Sequence, residues 1–241
     1  MATGSKISKW KKFWRYTKKI VFYMFISSLI YTIVCRWLMP PITITQIANS
    51  FVYGLKRDYV SWNEISYNAK LAAIASEDQM FPDHWGFDID AMKKSFNPKK
   101  KNKKTRIQLG GAASTISQQT AKNVFLWQGT GVTKYVRKGF EFYFTGLIEL
   151  FWNKKRILEV YLNTIEMGPG IFGIEAAAQH YFHKSAKNLT REEAAKIIAC
   201  LPNPKKFSVV PTSKRVAWRY PQILREMYNI EDDQDVQRII K

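Results

Sequence analysis

The sequence has few cysteines, few acidic side chains and no linker-like segment. Its two cysteines among 241 residues are Cys35, in an apolar run, and Cys200, in a later segment with helical spacing. Two cysteines so placed give neither a disulfide framework nor the ligand spacing of a metal site. Residues 42–241 contain no repeat and no long stretch rich in proline, glycine or serine, so we interpret them as one domain.

The shortage of acidic residues leaves the chain strongly basic. Lysine and arginine number 38 against 19 aspartates and glutamates, a formal net charge of +19. This imbalance predicts an anionic partner, which can be nucleic acid, anionic lipid or a phosphorylated substrate. The apolar share of 46% and the aromatic share of 15% are ample for a packed core and exclude wholesale disorder.

The first forty residues have the pattern of a membrane anchor. An apolar run from Ile20 to Met39, broken only by Arg36, is twenty residues long, or about 30 Å as a helix, enough to cross a bilayer. Arg36 can reach the far interface, and Pro40-Pro41 ends the helix. The run follows a basic cluster without acidic residues: Lys6, Lys9, Lys11, Lys12, Arg15, Lys18 and Lys19.

Two other interpretations of this run are a buried core helix and a cleaved signal peptide. A core helix does not need the basic cluster, and no small-x-small cleavage site follows the run, so a retained signal anchor is favoured. By the positive-inside rule, residues 1–19 are a cytoplasmic tail, 20–39 a transmembrane helix and 40–241 an exported domain. This topology argues against nucleic acid as the anionic partner.

The exported part is predicted to be mainly α. Ser61 and Glu64 form a capping box, predicted to open a helix that delivers Glu77 and Asp78 at its C-terminal end. Acidic residues there oppose the helix dipole, which favours a functional role. A second box, Thr190 to Glu193, predicts a helix that ends before Pro202. Apolar residues at helical spacing also fill 134–163 and 174–182, and no convincing run of alternating strands appears.

Two segments differ from an ordinary soluble domain. The basic run Lys99–Arg106 is typical of a solvated loop, and on an anchored domain it also suits anionic headgroups or a pyrophosphate. The segment Phe140–Trp152 is aromatic nearly all round, which fits either a core helix or a helix at the membrane interface.

Polar residues suited to chemistry gather first around Glu77. Beside the apolar side chains of Phe81 and Trp85, this carboxyl group is expected to be partly desolvated, which raises its pKa and makes it a better base. His84 is a candidate catalytic partner, although a lone histidine is more often a structural hydrogen-bonding residue.

Three further groups follow along the chain. The hydroxyls and amides of residues 114–123 suit a groove that binds sugar hydroxyls and phosphate oxygens, although such residues also start helices. Lys138 and Glu141 share a helix face, where the usual interpretation is a surface ion pair. Residues 155–163 and the glycines at 168, 170 and 173 indicate a tight turn and close packing.

In this order the groups closely resemble the family of peptidoglycan glycosyltransferases (glycosyltransferase family 51), in its monofunctional biosynthetic form. The resemblance covers roughly residues 60 to 230. It departs from the family pattern at Ala112, where glycine is usual, and in the lysine-rich run. The matching positions are Glu77, Asp78, Phe81, His84 and Gly86; Ser114, Thr115, Ser117, Gln118 and Gln119; Arg137, Lys138 and Glu141; Ile157 to Asn163; and Leu201 to Pro204.

The resemblance implies a lysozyme-like helical lobe with a smaller membrane-proximal lobe, preceded by one transmembrane helix. It implies an inverting transfer of a growing undecaprenyl-pyrophosphate-linked glycan to the sugar 4-hydroxyl of lipid II, giving a β-1,4 link. The expected location is the bacterial inner membrane, with the N-terminus inside, the catalytic domain on the periplasmic side and other cell-wall synthesis or division proteins as further partners.

The resemblance also assigns roles. Glu77 is the expected base, and Glu141 a second catalytic residue that either positions Lys138 or helps to hold a divalent ion. No cofactor is required by the sequence, and Mg or Mn at the pyrophosphate enters only through the family. Expected substrate-binding residues are Ser114, Thr115, Gln118, Gln119, Lys122, Asn123, Arg137 and Lys138. Expected supporting residues are Asp78, Phe81, His84, Gly86, Glu159, Tyr161 and Asn163.

Alternatives remain in two classes. A lysozyme-like lytic enzyme shares a catalytic glutamate, but it does not need the cationic and amide groups expected to hold a lipid pyrophosphate. An inactive lipid II-binding scaffold would have lost the base, yet Glu77 is present. A two-domain penicillin-binding protein is not expected, because the length leaves no room for a transpeptidase domain.

Overall fold

The computed structural model describes residues 9–89, 114–129 and 131–241. It divides into two units, one ending at Leu38 and the other running from Met39 to Lys241. The predictions for the basic run 99–106 and for Ala112 fall outside the described residues.

The first unit is one long helix, α1 (Lys9–Val34), which is long and apolar enough to cross a membrane. It begins eleven residues before the predicted span and ends five residues before Met39, because a tight turn replaces the last helical residues. In this turn the amides of Arg36 and Trp37 bond to carbonyls three residues back, Ile33 and Val34.

The second unit is mainly helical, as predicted, with short strands between the helices. Its elements in chain order are α2 (Ile44–Tyr53), β1 (Lys56–Arg57), a 3₁₀ turn (Trp62–Glu64), α3 (Tyr67–Glu77), α4 (Ile116–Phe125), α5 (Thr133–Phe151), α6 (Lys154–Thr164), β2 (Glu166–Gly168), β3 (Ile171–Phe172), α7 (Ile174–Phe182), a second 3₁₀ turn (Ala186–Asn188), α8 (Arg191–Ala199), α9 (Lys214–Ile230) and α10 (Gln234–Ile240).

Helix starts follow the capping chemistry, with one correction. The box of Thr190 and Glu193 opens α8 as predicted. The box of Ser61 and Glu64 opens only the short 3₁₀ turn, and α3 starts later with Ser66, whose hydroxyl accepts the amide of Ala69. The prediction was wrong here because a second serine, five residues on, caps the long helix.

The predicted helical stretch 134–163 is two helices. Asn153 separates them, because its side chain accepts the amide of Arg156 at 2.7 Å and so starts α6. Within α5, Glu141 and Ile148 are buried whereas Phe140 and Leu150 are exposed. The aromatic segment is therefore core on one face only.

Three short strands, which the sequence did not indicate, form a sheet in the order β1-β3-β2. Strands of two or three residues are too short to show an alternating pattern in the sequence. Gly170 lets β3 approach the chain before β1: its φ is +70°, and an added Cβ would lie 2.5 Å from the carbonyl oxygen of Gly54.

The core surrounds α3, whose residues from Ala69 to Ser76 are all buried. It packs against α8 and α9, while α4 packs against α5 and α6. Small alanines on α3 allow the neighbouring helices to approach closely. Because α3 is buried almost all round, its last residue, Glu77, is held in a fixed position.

Candidate functional site

Glu77 lies at the C-terminal end of α3, where its carboxylate receives two hydrogen bonds. Gln119 Nε2 on α4 donates to Oε2 at 3.0 Å, and Ser76 Oγ donates to Oε1 at 3.2 Å. The Tyr161 hydroxyl on α6 donates to Gln119 Oε1 at 3.4 Å, which directs the amide nitrogen of Gln119 toward Glu77. The predicted base is therefore held by a chain of oriented groups.

Burial raises the pKa of Glu77 above its ordinary value of 4.5, and the hydrogen bonds from Gln119 and Ser76 and the charge of Arg219 only partly offset this effect. The direction agrees with the sequence-based expectation. The expected contribution of Trp85 was wrong, because its side chain is 75% exposed. A carboxylate with a raised pKa is the stronger base.

Asp78 and His84 tie the end of α3 to the start of α4. Asp78 accepts the backbone amide of Ile116 at 2.9 Å and bonds to His84 Nε2 at 3.0 Å. The carboxylate thus binds an otherwise unpaired amide in the first turn of α4. These contacts give both residues a supporting role and place Gln119 opposite Glu77.

The turn after His84 requires glycine. Gly86 has φ +75°, and a Cβ there would lie 2.7 Å from Thr145 Cγ2 and 2.9 Å from Glu149 Cγ. Its carbonyl accepts the Thr115 hydroxyl at 2.7 Å. Below the turn, Lys154 Nζ donates to Glu149 Oε1 at 2.7 Å and to the His84 carbonyl at 2.6 Å, 4.7 Å from the ring centroid of the buried Phe81.

Of the predicted binding residues of α4, some cap the helix and another contacts Glu77. Thr115 and Gln118 form the capping box of this helix and are buried, so their side chains support its first turn. Among the described residues, Gln118 Nε2 has no hydrogen-bond partner. Gln119 bonds to Glu77, and its Nε2 also lies 3.4 Å from the Ser114 carbonyl; Asn123 is buried on the same helix.

A second buried carboxylate, Glu141 on α5, lies among cations. Arg137 Nη1 donates to Oε2 at 2.8 Å and Lys138 Nζ to Oε1 at 2.5 Å, while Glu141 itself is 3% exposed. The predicted pairing of Lys138 with Glu141 is observed, although it is not a surface pair. Within the described part of the chain, Arg137 Nε has no partner.

Lys122 is within electrostatic reach of both Glu77 and Glu141. Burial and the nearby charges of Arg137 and Lys138 lower its pKa, while Glu141 and Glu77 act in the opposite direction. Three cationic side chains therefore surround one carboxylate, Glu141. The excess positive charge at this position suits an anionic ligand such as a phosphate.

The predicted supporting residues of α6 hold the segment before α3. Glu159 Oε1 accepts the backbone amide of Trp62 at 2.8 Å and also pairs with Arg156. Asn163 bonds to both backbone groups of Val60, at 2.9 and 3.0 Å. These side chains fix where α3 begins, which in turn fixes where it ends.

The described residues do not fit a divalent metal at Glu141. Both oxygens of this carboxylate already accept hydrogen bonds from cations, and hard cations need several oxygen ligands. No group of three potential ligands occurs among residues 9–89, 114–129 and 131–241.

Sequence reasoning missed four residues that support the site. Ser76 and Arg219 contact each other behind Glu77, and Glu149 and Lys154 pair below the turn at Gly86. Ser76 was visible as a polar residue next to Glu77 in an alanine-rich helix. The other three gave no local signal, because their partners lie far along the chain or outside any motif.

Comparison with known proteins identifies the family of this chain. The family model described as transglycosylase matches residues 44–228. A protein named biosynthetic peptidoglycan transglycosylase from Pseudomonas fluorescens is 43% identical over 222 residues, which cover 89% of each chain. A protein of the same name from Escherichia coli is 52% identical over 181 residues, which cover 75% of this chain and 72% of the relative. The chain belongs to the transglycosylase family.

Proposed function

We propose that this protein polymerises lipid II into peptidoglycan glycan strands, with Glu77 as the base. One observation carries the proposal: a carboxylate with a raised pKa is held by Gln119 and Ser76 beside an excess of cationic side chains. The family membership and the names of the relatives support peptidoglycan as the product.

The chemistry that this geometry supports is an inverting displacement. Glu77 accepts the proton of the acceptor sugar's 4-hydroxyl group. At the same time the oxygen of that hydroxyl group forms a bond to the donor's anomeric carbon. The bond from that carbon to the pyrophosphate oxygen breaks with inversion, and undecaprenyl pyrophosphate leaves with the electron pair. A sugar hydroxyl is a poor nucleophile near neutral pH, so the base is needed at this step.

The cationic side chains would stabilise the leaving group. Negative charge grows on the pyrophosphate as the bond breaks, and Arg137 and Lys138 offer positive charge for it, with the Lys122 amine nearby. Glu141 holds two of these cations in place through its hydrogen bonds. We therefore assign Glu141 to positioning, which makes a metal unnecessary for this account.

We further propose a membrane location, with the N-terminus on the cytoplasmic side of the inner membrane. The length of α1 and the basic residues at its start support this assignment. Helix α2 also carries exposed apolar side chains, with Ile44, Ile47 and Phe51 exposed by 48%, 43% and 85%. Such a helix face suits a bilayer surface, where both lipid-linked substrates are found.

The test is glycan-chain formation from purified lipid II by the detergent-solubilised full chain, wild type against Glu77→Gln. We expect the substitution to lower the polymerisation rate by about 10²–10⁴-fold, the usual contribution of a general base. Glu192→Gln, at an exposed position on α8, is the matched control and should keep the rate of the wild type.

Lipid II binding is measured in the same preparations. Polymerisation by the Glu77→Gln variant at the rate of the wild type would exclude Glu77 as the base. A wild type that binds lipid II without extending it would favour a scaffold, and one that shortens purified glycan would favour a lytic enzyme.

A further inference from the structure

The hydrogen bond from Ser76 to Glu77 depends on a residue much later in the chain. Ser76 is 3% exposed, so solvent does not set the direction of its hydroxyl. Arg219 on α9, which is 5% exposed, donates from Nη2 to Ser76 Oγ at 3.2 Å and to the Ser76 carbonyl at 3.3 Å. The serine oxygen is therefore the acceptor in its hydrogen bond with Arg219.

A guanidinium group only donates hydrogen bonds, whereas a hydroxyl both donates and accepts. Because Arg219 donates to Ser76 Oγ, the serine proton points elsewhere, and it is donated to Glu77 Oε1 at 3.2 Å. The buried cation thus orients the hydroxyl and places a positive charge behind the carboxylate.

We propose that Arg219 and Ser76 are positioning residues for the transfer reaction, holding the Glu77 carboxylate ionised and aimed at the acceptor hydroxyl. The inference rests on the proposed role of Glu77 as the base. It adds a second support to the one from Gln119, and the two supports bind different oxygens of the same carboxylate.

The other charged and titratable groups around Glu77 affect its carboxylate differently from Arg219. Asp78 raises the pKa of Glu77, whereas Arg219 lowers it. Lys122 is also close, but it is shared with Glu141 and lies on the side proposed for the pyrophosphate. Burial raises the pKa values of Tyr161 and Cys200, which also neighbour Glu77, and keeps both groups neutral. Among the described residues, Arg219 is then the cation linked to the base through Ser76, although its charge also acts on Glu226.

The experiment compares the pH dependence of kcat and KM for lipid II polymerisation by the full chain. We expect Ser76→Ala and Arg219→Gln to lower kcat on the order of tenfold, the effect of losing a hydrogen bond to a charged group. In both variants the acidic limb of the kcat profile should move to higher pH, while KM stays near that of the wild type. Arg219→Lys, which keeps the charge, should retain most of the normal position of this limb.

Arg225→Gln is the matched control, because it removes one exposed arginine from the same helix; its profile should equal that of the wild type. Should Arg219→Gln fail to fold, Ser76→Ala alone decides the question, since it removes a single buried oxygen. The inference is overturned if Ser76→Ala keeps the kcat and acidic limb of the wild type, or if its only effect is a lower melting temperature.

Failure of the proposed function gives a different result. If the Glu77→Gln variant is active, the proposed role of Glu77 as the base is wrong. If Glu77→Gln is inactive and the pH profile of Ser76→Ala is unaltered, only the proposed role of Ser76 and Arg219 is wrong.

Discussion

The two buried glutamates of this site have opposite surroundings. Glu77 receives hydrogen bonds from neutral groups, Gln119 and Ser76, and burial raises its pKa. Glu141 instead forms ion pairs with the side chains of Arg137 and Lys138, and Lys122 is nearby. The same side chain is thus prepared in one place to accept a proton and in the other to hold positive charge.

The difference shows how one fold separates two tasks with one residue type. Neighbouring groups, and not the carboxyl group itself, decide which task a buried carboxylate is suited to. Lys122 interacts electrostatically with both glutamates, so in the proposed mechanism the two environments would act on one bound substrate.

The largest expected effect that tests this contrast comes from removing a cation. Arg137→Met should lower kcat/KM for polymerisation by about 10²–10³-fold, as when one group that stabilises developing charge is lost. The measurement is the initial rate of glycan formation at several lipid II concentrations. Lys134→Met, at an exposed position one turn earlier, should change the rate little. An equal loss of kcat/KM in both variants would mean that the net positive charge of the protein, and not the position of Arg137, attracts the substrate.

The next effect concerns stability. Glu141→Gln leaves Arg137 and Lys138 without their carboxylate, and breaking a buried pair costs about 3–5 kcal/mol. Because Lys138 is 36% exposed, we expect a smaller loss of about 2–3 kcal/mol, a fall in melting temperature of roughly 4–12 °C. Thermal unfolding of the purified variant measures this, with Glu192→Gln as control. An unchanged melting temperature would show that the ion pairs do not support the fold.

The smallest expected effect is a pH-dependent difference in stability at Glu77. Since the folded pKa of Glu77 lies above its ordinary value of 4.5, its contribution to stability is complete below that value and is lost as pH rises through the folded pKa. Glu77→Gln cannot titrate. Its melting temperature relative to the wild type should therefore rise from acidic to neutral pH. A constant difference across this range would mean that Glu77 ionises at no cost to the fold.

Local chemistry made part of this architecture predictable. The capping box of Thr190 and Glu193 satisfies amides within one turn, and the three-residue spacing of Lys138 and Glu141 is sufficient to predict their contact. The position of Glu77 at a helix end was also predicted, although the capping box used for it opens the preceding 3₁₀ turn. Each of these features depends on residues a few positions apart.

The remaining features depend on contacts that local periodicity does not encode. Arg219 lies 143 residues after Ser76, and its helix gave no sign of which side chain would face the site. The three strands are too short to show a pattern, and their pairing joins Lys56 to Ile171. The lysozyme-like division into lobes and the membrane topology stay predictions.

The separation of Ser76 from Arg219 also has a consequence for the biogenesis of this protein. Because synthesis runs from the N-terminus, Glu77 emerges from the ribosome long before α9 (Lys214–Ile230). Until that helix arrives and packs on α3, the carboxylate lacks the buried cation behind it. A translation-arrested chain that ends at Ser213 lacks both this cation and the packing of α9 on α3, so we expect full activity only after nearly the whole domain has been made.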